Sequence, residues 1–307
     1  MITDTSNTET SNTEIVDCHH HIWRLEDLPW LSGPIIPRIF GPYEPIQRDY
    51  LAAEYRADAE SAGVSAAVYT QVNWPLERSV DEVRWVQSVA DETGWPHAIV
   101  GSANMFDPGC QEVFDEQYEI SPLLRGTRLQ LHWHQKELYR FASGPNRMDD
   151  PIFRENLALL SRYDWVFELQ VFGQQMADAA RLVADFPDVT FVLVHAGMLE
   201  AVDSETVGIW ESGMRRLAAH DNVVVKLTGL GTFIRKVDAG QIADIVHRCL
   251  DWFGPDRCMW GSNFPVEKLW TDYTTLFEAY ATALADEDRS TRDAVFGGTA
   301  RRVYRLD

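Results

Sequence analysis

Eight short runs rich in apolar and β-branched residues recur along the chain, at 15–23, 65–72, 97–105, 125–131, 165–171, 190–195, 222–228 and 258–263. Several, such as Thr190-Phe191-Val192-Leu193-Val194, are apolar almost without a break, as strands buried on both faces are. Between the runs the apolar residues shift to helical spacing. Val80, Val83, Val86 and Val89 make one stripe, Met176, Ala179, Ala180 and Val183 a second, and Ile242, Ile245, Val246, Cys249 and Phe253 a third. Successive runs start about 25–50 residues apart, the length of a βα repeat.

Eight such repeats predict an α/β fold of the closed (β/α)8, or TIM-barrel, kind in a single domain over 14–307. A doubly wound open sheet would want a glycine-rich turn after its first strand, and residues 19–25 contain no glycine. The stretch 29–45 is rich in proline, glycine and aromatics and has no period. It follows the first strand, so it is expected to lie as a partial lid over the catalytic face of the barrel. Residues 1–13 are nearly all Thr, Ser, Asn and acid, a composition that predicts a disordered leader.

Composition narrows the partners. The chain of 307 residues is 45% hydrophobic, enough for one full core, and carries a formal charge of −20 without a basic stripe, which argues against nucleic acid. No apolar run approaches the roughly 20 residues of a membrane span, and the N-terminus lacks a basic-then-apolar signal pattern. Cys18, Cys110, Cys249 and Cys258 are scattered, as reduced cytoplasmic thiols are. A cytoplasmic protein with a small-molecule partner is expected, with room left for a homo-oligomer.

The candidate chemistry gathers at strand ends. Simple alternation along the first strand puts Asp17, His19 and His21 on one face and Cys18 and His20 on the other, so His19 and His21 can converge on one metal ion or one substrate oxygen. His195 closes the sixth run just before Gly197, and Asn263 sits at the exit of the eighth behind a Gly-Ser pair. Arg128 is a candidate for gripping a carboxylate or a lactone carbonyl. Glu168 and Lys226, polar residues inside apolar strands, read either as structural ion-pair members or as substrate contacts. Trp23 and Trp74, at strand ends, can stack on a substrate ring or simply pack.

Asp17-x-His19-x-His21 with Trp23, the 50–62 helix, Arg125-Gly-Thr-Arg128-Leu-Gln130, Val194-His195-Ala-Gly197 and Trp260-Gly-Ser-Asn263-Phe-Pro265 together resemble amidohydrolase family 2. The likeness is to its lactonase branch, related to pyrone-dicarboxylate lactonase and fuconolactonase. It implies a site at the C-terminal ends of the strands and hydrolysis of a small sugar-acid or pyrone-type lactone by water. It also implies either no required cofactor or one divalent cation, zinc first, held by His19, His21 and His195. The family pattern has an aspartate where this chain has Asn263, and a neutral amide orients water but takes no proton from it. The expected base is therefore His195, with Glu168 or His21 behind it. His19 and His21, with Lys226 or Arg128, would polarise the carbonyl. Two alternatives stay open: a metal-dependent nonoxidative decarboxylase of the same superfamily, and a barrel that binds a small acid without turning it over.

Overall fold

The computed structural model describes residues 14–306. The leader expected over 1–13 lies outside the described residues. Eight parallel strands form one sheet in chain order: β1 (Ile15–His20), β2 (Val64–Thr70), β3 (Ala98–Gly101), β4 (Leu124–Gln130), β5 (Val166–Gln170), β6 (Phe191–Leu193), β7 (Val223–Leu227) and β8 (Cys258–Trp260). The expected barrel is borne out. Its helices pack outside, and the third of the expected stripes faces inward throughout: Ile242, Ile245, Val246, Cys249 and Phe253 are all buried. No helix among the described residues is long and apolar enough to cross a membrane.

Along the barrel axis the interior changes from apolar to polar. Val16, Ala66, Val68, Ala98, Val100, Val166, Val192, Val224 and Met259 fill the lower half. Ala300, Val303 and Tyr304, from the C-terminal helix Thr299–Tyr304, plug it from below. Above that plug the same strand faces turn polar. Register pairs Arg128 with Glu168 and Gln130 with Gln170 across β4 and β5, and Lys226 follows Val224 two residues up β7. Burying those groups without partners would cost several kcal/mol each, so each needs a hydrogen bond or a ligand.

The first strand departs from simple alternation. Its pairing with β2 is irregular between Asp17 and His20, as at a β-bulge. Asp17 and His20 therefore both face the helices. The Asp17 carboxylate accepts from Tyr55 Oη (2.9 Å), Tyr273 Oη (2.8 Å) and Ser262 Oγ (2.5 Å), and His20 stacks on Tyr55 with ring centroids 3.8 Å apart. Cys18 faces the barrel interior, and His19 and His21 face the mouth. The expected grouping of Asp17 with His19 and His21 fails because the bulge inserts one residue between them. Asp17 also holds the bulge in place, its Oδ1 accepting from the backbone N–H groups of His19 (3.0 Å) and Ser262 (2.8 Å).

Between β8 and β1 the barrel is joined past the end of β8. Asn263 N donates to His19 O (2.7 Å) and His21 N to Phe264 O (2.8 Å). Residues 29–45 cross the mouth, with Trp30 Nε1 donating to Val72 O (2.8 Å) and Phe40 packing edge-on against Trp30 and Tyr43. The expected covering of the catalytic face is what this segment provides. All four cysteines are buried free thiols.

Candidate active site

Three imidazoles meet at the mouth. The His19 ring lies 5.0 Å from that of His21 and 4.9 Å from that of His195, centroid to centroid. Their proton positions follow from their partners. Thr70 O can only accept, so the 2.7 Å contact with His21 Nδ1 fixes the proton there and leaves His21 Nε2 as a lone pair. Beneath them Lys226 Nζ donates to Glu168 Oε1 (2.5 Å) and approaches His19 Nδ1 (3.4 Å) and Thr70 Oγ1 (3.5 Å). An ammonium has only protons to offer, so His19 Nδ1 accepts and its Nε2 carries the hydrogen. That Nε2 is buried and has no protein partner.

His195 is held differently. Its Nδ1 is 2.6 Å from Thr228 Oγ1, and Gly229 makes space for the ring: a Cβ there would stand 2.5 Å from His195 Nδ1. His195, Ala196, Gly197 and Met198 all have positive φ, from 45° to 72°. Four consecutive left-handed residues, three of them not glycine, concentrate backbone strain at one point of the wall.

Arg128 reaches the mouth from β4. One terminal nitrogen donates to Gln71 O (2.6 Å), while its Nε is buried without a partner. Burial and the cationic Arg128 hold His195 and His21 in the neutral form, His21 down to about 3 and His195 well below its usual range. A deep pocket of about 100 Å³ is lined by His21, His195, Asn263, Arg128, Gln170 and Trp23, among others. Its wall contains no serine or cysteine among the described residues.

His21, His195, Arg128, Asn263 and Trp23 line the pocket, and the fully buried His19 ring packs against those of His21 and His195 without reaching the wall. Trp74 lines a second, outer chamber instead. Lys226 and Glu168 do not reach the pocket wall. Both are fully buried as an ion pair, with Tyr304 Oη also donating to Glu168 Oε1 (2.7 Å), so the reading of either as a substrate contact gives way to a structural one. Among the described residues no group of three His, Cys, Asp or Glu is arranged to hold a metal ion, His19, His21 and His195 included.

Glu267 is a site residue that the sequence reading missed. It is fully buried behind Asn263, accepting from Asn263 Nδ2 (3.4 Å) and Trp270 Nε1 (2.8 Å), and burial pushes its carboxyl up to about 8. Its only sequence signal is the four-residue spacing from Asn263, which no strand or helix period makes conspicuous.

The model of the family described as Amidohydrolase matches residues 16–306. The chain belongs to the amidohydrolase family. It is a hydrolase of that family, and its relatives match along nearly their whole length. Protein y4mH of Sinorhizobium fredii is 33% identical, over 96% of this chain and all of that one. An L-fucono-1,5-lactonase of Burkholderia multivorans is 30% identical, over 95% of this chain and 96% of the lactonase. A Burkholderia multivorans amidohydrolase crystallised with bound zinc superposes with a TM-score of 0.81 at 29% identity, over 96% of this chain and all of that one.

The buried ionisable groups give this amidohydrolase a specific acid response. His19, His20, His21, His97, His132 and His195 all have pKa values lowered in the folded state, His21 and His132 to about 3. The unfolded chain takes up these protons near 6.5 and the folded chain refuses them, so stability falls as pH drops through that interval. Asp17, Glu82 (about 7) and Glu267 (about 8) act oppositely, favouring the folded state at low pH and losing that contribution as pH rises. They oppose the imidazoles down to about pH 4.5, below which both states are largely protonated at these carboxyls. The midpoint of urea unfolding is therefore expected to fall between pH 6.5 and 4, most steeply below about 4.5. A midpoint flat over that range would contradict the assignment of these rings as neutral.

Proposed function

We propose that this amidohydrolase opens a lactone ring by attack of water at the deep pocket. The observation that carries the reading is one wall that joins a neutral, strained His195 to Arg128, His21 and Asn263, without a serine or cysteine nucleophile. Such a pocket suits direct hydration of a carbonyl. The L-fucono-1,5-lactonases at 30% and 25% identity support the same bond type.

In this scheme the lactone carbonyl oxygen lies against the Arg128 guanidinium, which stabilises it as it becomes an oxyanion. Asn263, its amide steadied by Glu267, holds the attacking water. His195 takes the water's proton as the C–O bond forms. The imidazolium thus appears in the same step as the oxyanion, and the two new charges offset each other in a site that disfavours either alone. Collapse of the intermediate breaks the ring C–O bond, and His195 returns its proton to the departing ring oxygen. The product is the open-chain hydroxy acid. The lone pair on His21 Nε2 accepts from a substrate hydroxyl or the water.

Zinc, or another divalent ion, would have His19, His21 and His195 as its protein donors. The set fits such an ion poorly. Among the described residues no three such side chains are arranged to hold an ion, residue 263 is a neutral amide, and the Lys226 ammonium stands beside His19. Water activation is accordingly assigned to the protein's own groups.

Acid release from a panel of five- and six-membered lactones, followed with a pH indicator before and after chelator treatment, tests the scheme. Turnover of at least one lactone, undiminished by the chelator, is expected. A panel without acid release would overturn the lactone reading. Chelator-sensitive turnover restored by zinc would overturn only the metal-free arrangement.

A further inference from the structure

Beside the deep pocket lies a second chamber of about 760 Å³, inside the roughly 300–1,000 Å³ range of sites that hold drug-sized ligands. The two share Trp30, Phe40, Gln71, Asn73, Arg128 and Gln130 as common wall, so one molecule can occupy both. The deep pocket, at about 100 Å³, is much the smaller of the two. Whatever the carbonyl is attached to extends into the larger space.

The chemistry of the chamber is uneven. Of nine exposed large hydrophobic residues among the described ones, four line it: Ile36, Leu76, Leu138 and Phe141. Trp30, Phe40 and Trp74 add flat apolar faces. Set into these walls are three buried N–H groups without a partner, Arg128 Nε, Arg38 Nε and Trp74 Nε1, each able only to donate. Arg128 and Trp74 are themselves 4% and 2% exposed, and the Arg38 guanidinium lies over the Trp30 ring at 5.5 Å. In a chain of net charge −20 the chamber gathers Arg38, Arg128 and Arg140 against the single carboxylate of Glu137. An apolar, aromatic-walled space with three guanidinium groups against one carboxylate is complementary to a ring that carries an anion.

We propose that this chamber is a subsite for a carboxylate-bearing ring substituent, and that the preferred substrate is a lactone extended by such a group rather than a bare sugar lactone. The proposal rests on the lactone reading above. Arg38 meets the carboxylate, Trp30 and Trp74 flank the ring, and Arg128 serves both compartments.

A matched set of substrates tests it: one γ-lactone bearing a 4-carboxyphenyl group, the same lactone bearing phenyl, and an unsubstituted sugar lactone. The carboxyphenyl lactone is expected to exceed the other two by about tenfold or more in kcat/KM, the worth of one charge-assisted contact. Arg38→Gln is expected to lower kcat/KM for the carboxyphenyl lactone about tenfold more than for the phenyl one. If the sugar lactone is turned over as well as the carboxyphenyl lactone, the subsite is overturned and the lactone reading stands. If no lactone is opened, the lactone reading fails, and titration with 4-phenylbenzoate followed by tryptophan fluorescence decides the subsite. Saturable quenching that weakens in Arg38→Gln would uphold it as an acid-binding chamber, and no quenching would end it.

Discussion

Changing His195 to asparagine is expected to lower lactone turnover by about 10²–10⁴-fold, the usual contribution of a positioned general base. Asparagine is the informative replacement because position 195 has φ 55° and ψ 41°, and asparagine accepts that left-handed conformation more readily than alanine. The strained turn should then survive, and the loss should fall on kcat with KM changed little. Arg128, His21 and Asn263 keep their places, so carbonyl polarisation and water placement persist while proton transfer is lost. Steady-state kinetics beside a thermal unfolding curve separates this from a folding defect. A variant that opens the lactone within a few-fold of the parent would remove His195 from the mechanism and turn attention to His21, whose Nε2 lone pair faces the same pocket.

The second large effect concerns stability. Lys226→Met leaves the Glu168 carboxylate buried with Tyr304 as its remaining hydrogen-bond donor, and breaking such a pair from one side costs about 3–5 kcal/mol. Adding Glu168→Gln to Lys226→Met removes the stranded charge and should recover much of the loss, because the two positions are directly coupled. Urea unfolding of the parent, the single and the double variant reads both numbers. A single variant as stable as the parent would mean that the buried pair is not ionic. The Lys226 ammonium also fixes the proton on His19 through Nδ1, so the same substitution frees the His19 ring to exchange tautomers.

The strands and the strand-end histidines are legible in the sequence because apolar continuity and the fixed handedness of βα units leave few other arrangements. Phe191, Val192, Leu193 and Val194 announce β6, and the polar residue that ends the run, His195, had to lie at the mouth. What alternation could not supply was the bulge at β1, since an extra residue in one strand is written in its pairing with β2 and in the Asp17 hydrogen bonds to helices far along the chain. Lys226 and Glu168 read equally as ligands or as a pair until their separation is known. Arg38 lies in a segment without period, and its importance comes only from the chamber that the segment roofs.

The closure of the barrel bears on residue 263 in another way. The Asn263 backbone is fixed by its N–H to His19 O and by φ 60°, independently of what its side chain does. Asparagine and aspartate are the two non-glycine residues that settle most easily in that conformation. The seam therefore filters which mutations a lineage can try there. It admits exchange between acid and amide at little conformational cost and resists most others, so the chemistry at the mouth can drift between two mechanisms while the architecture stays put.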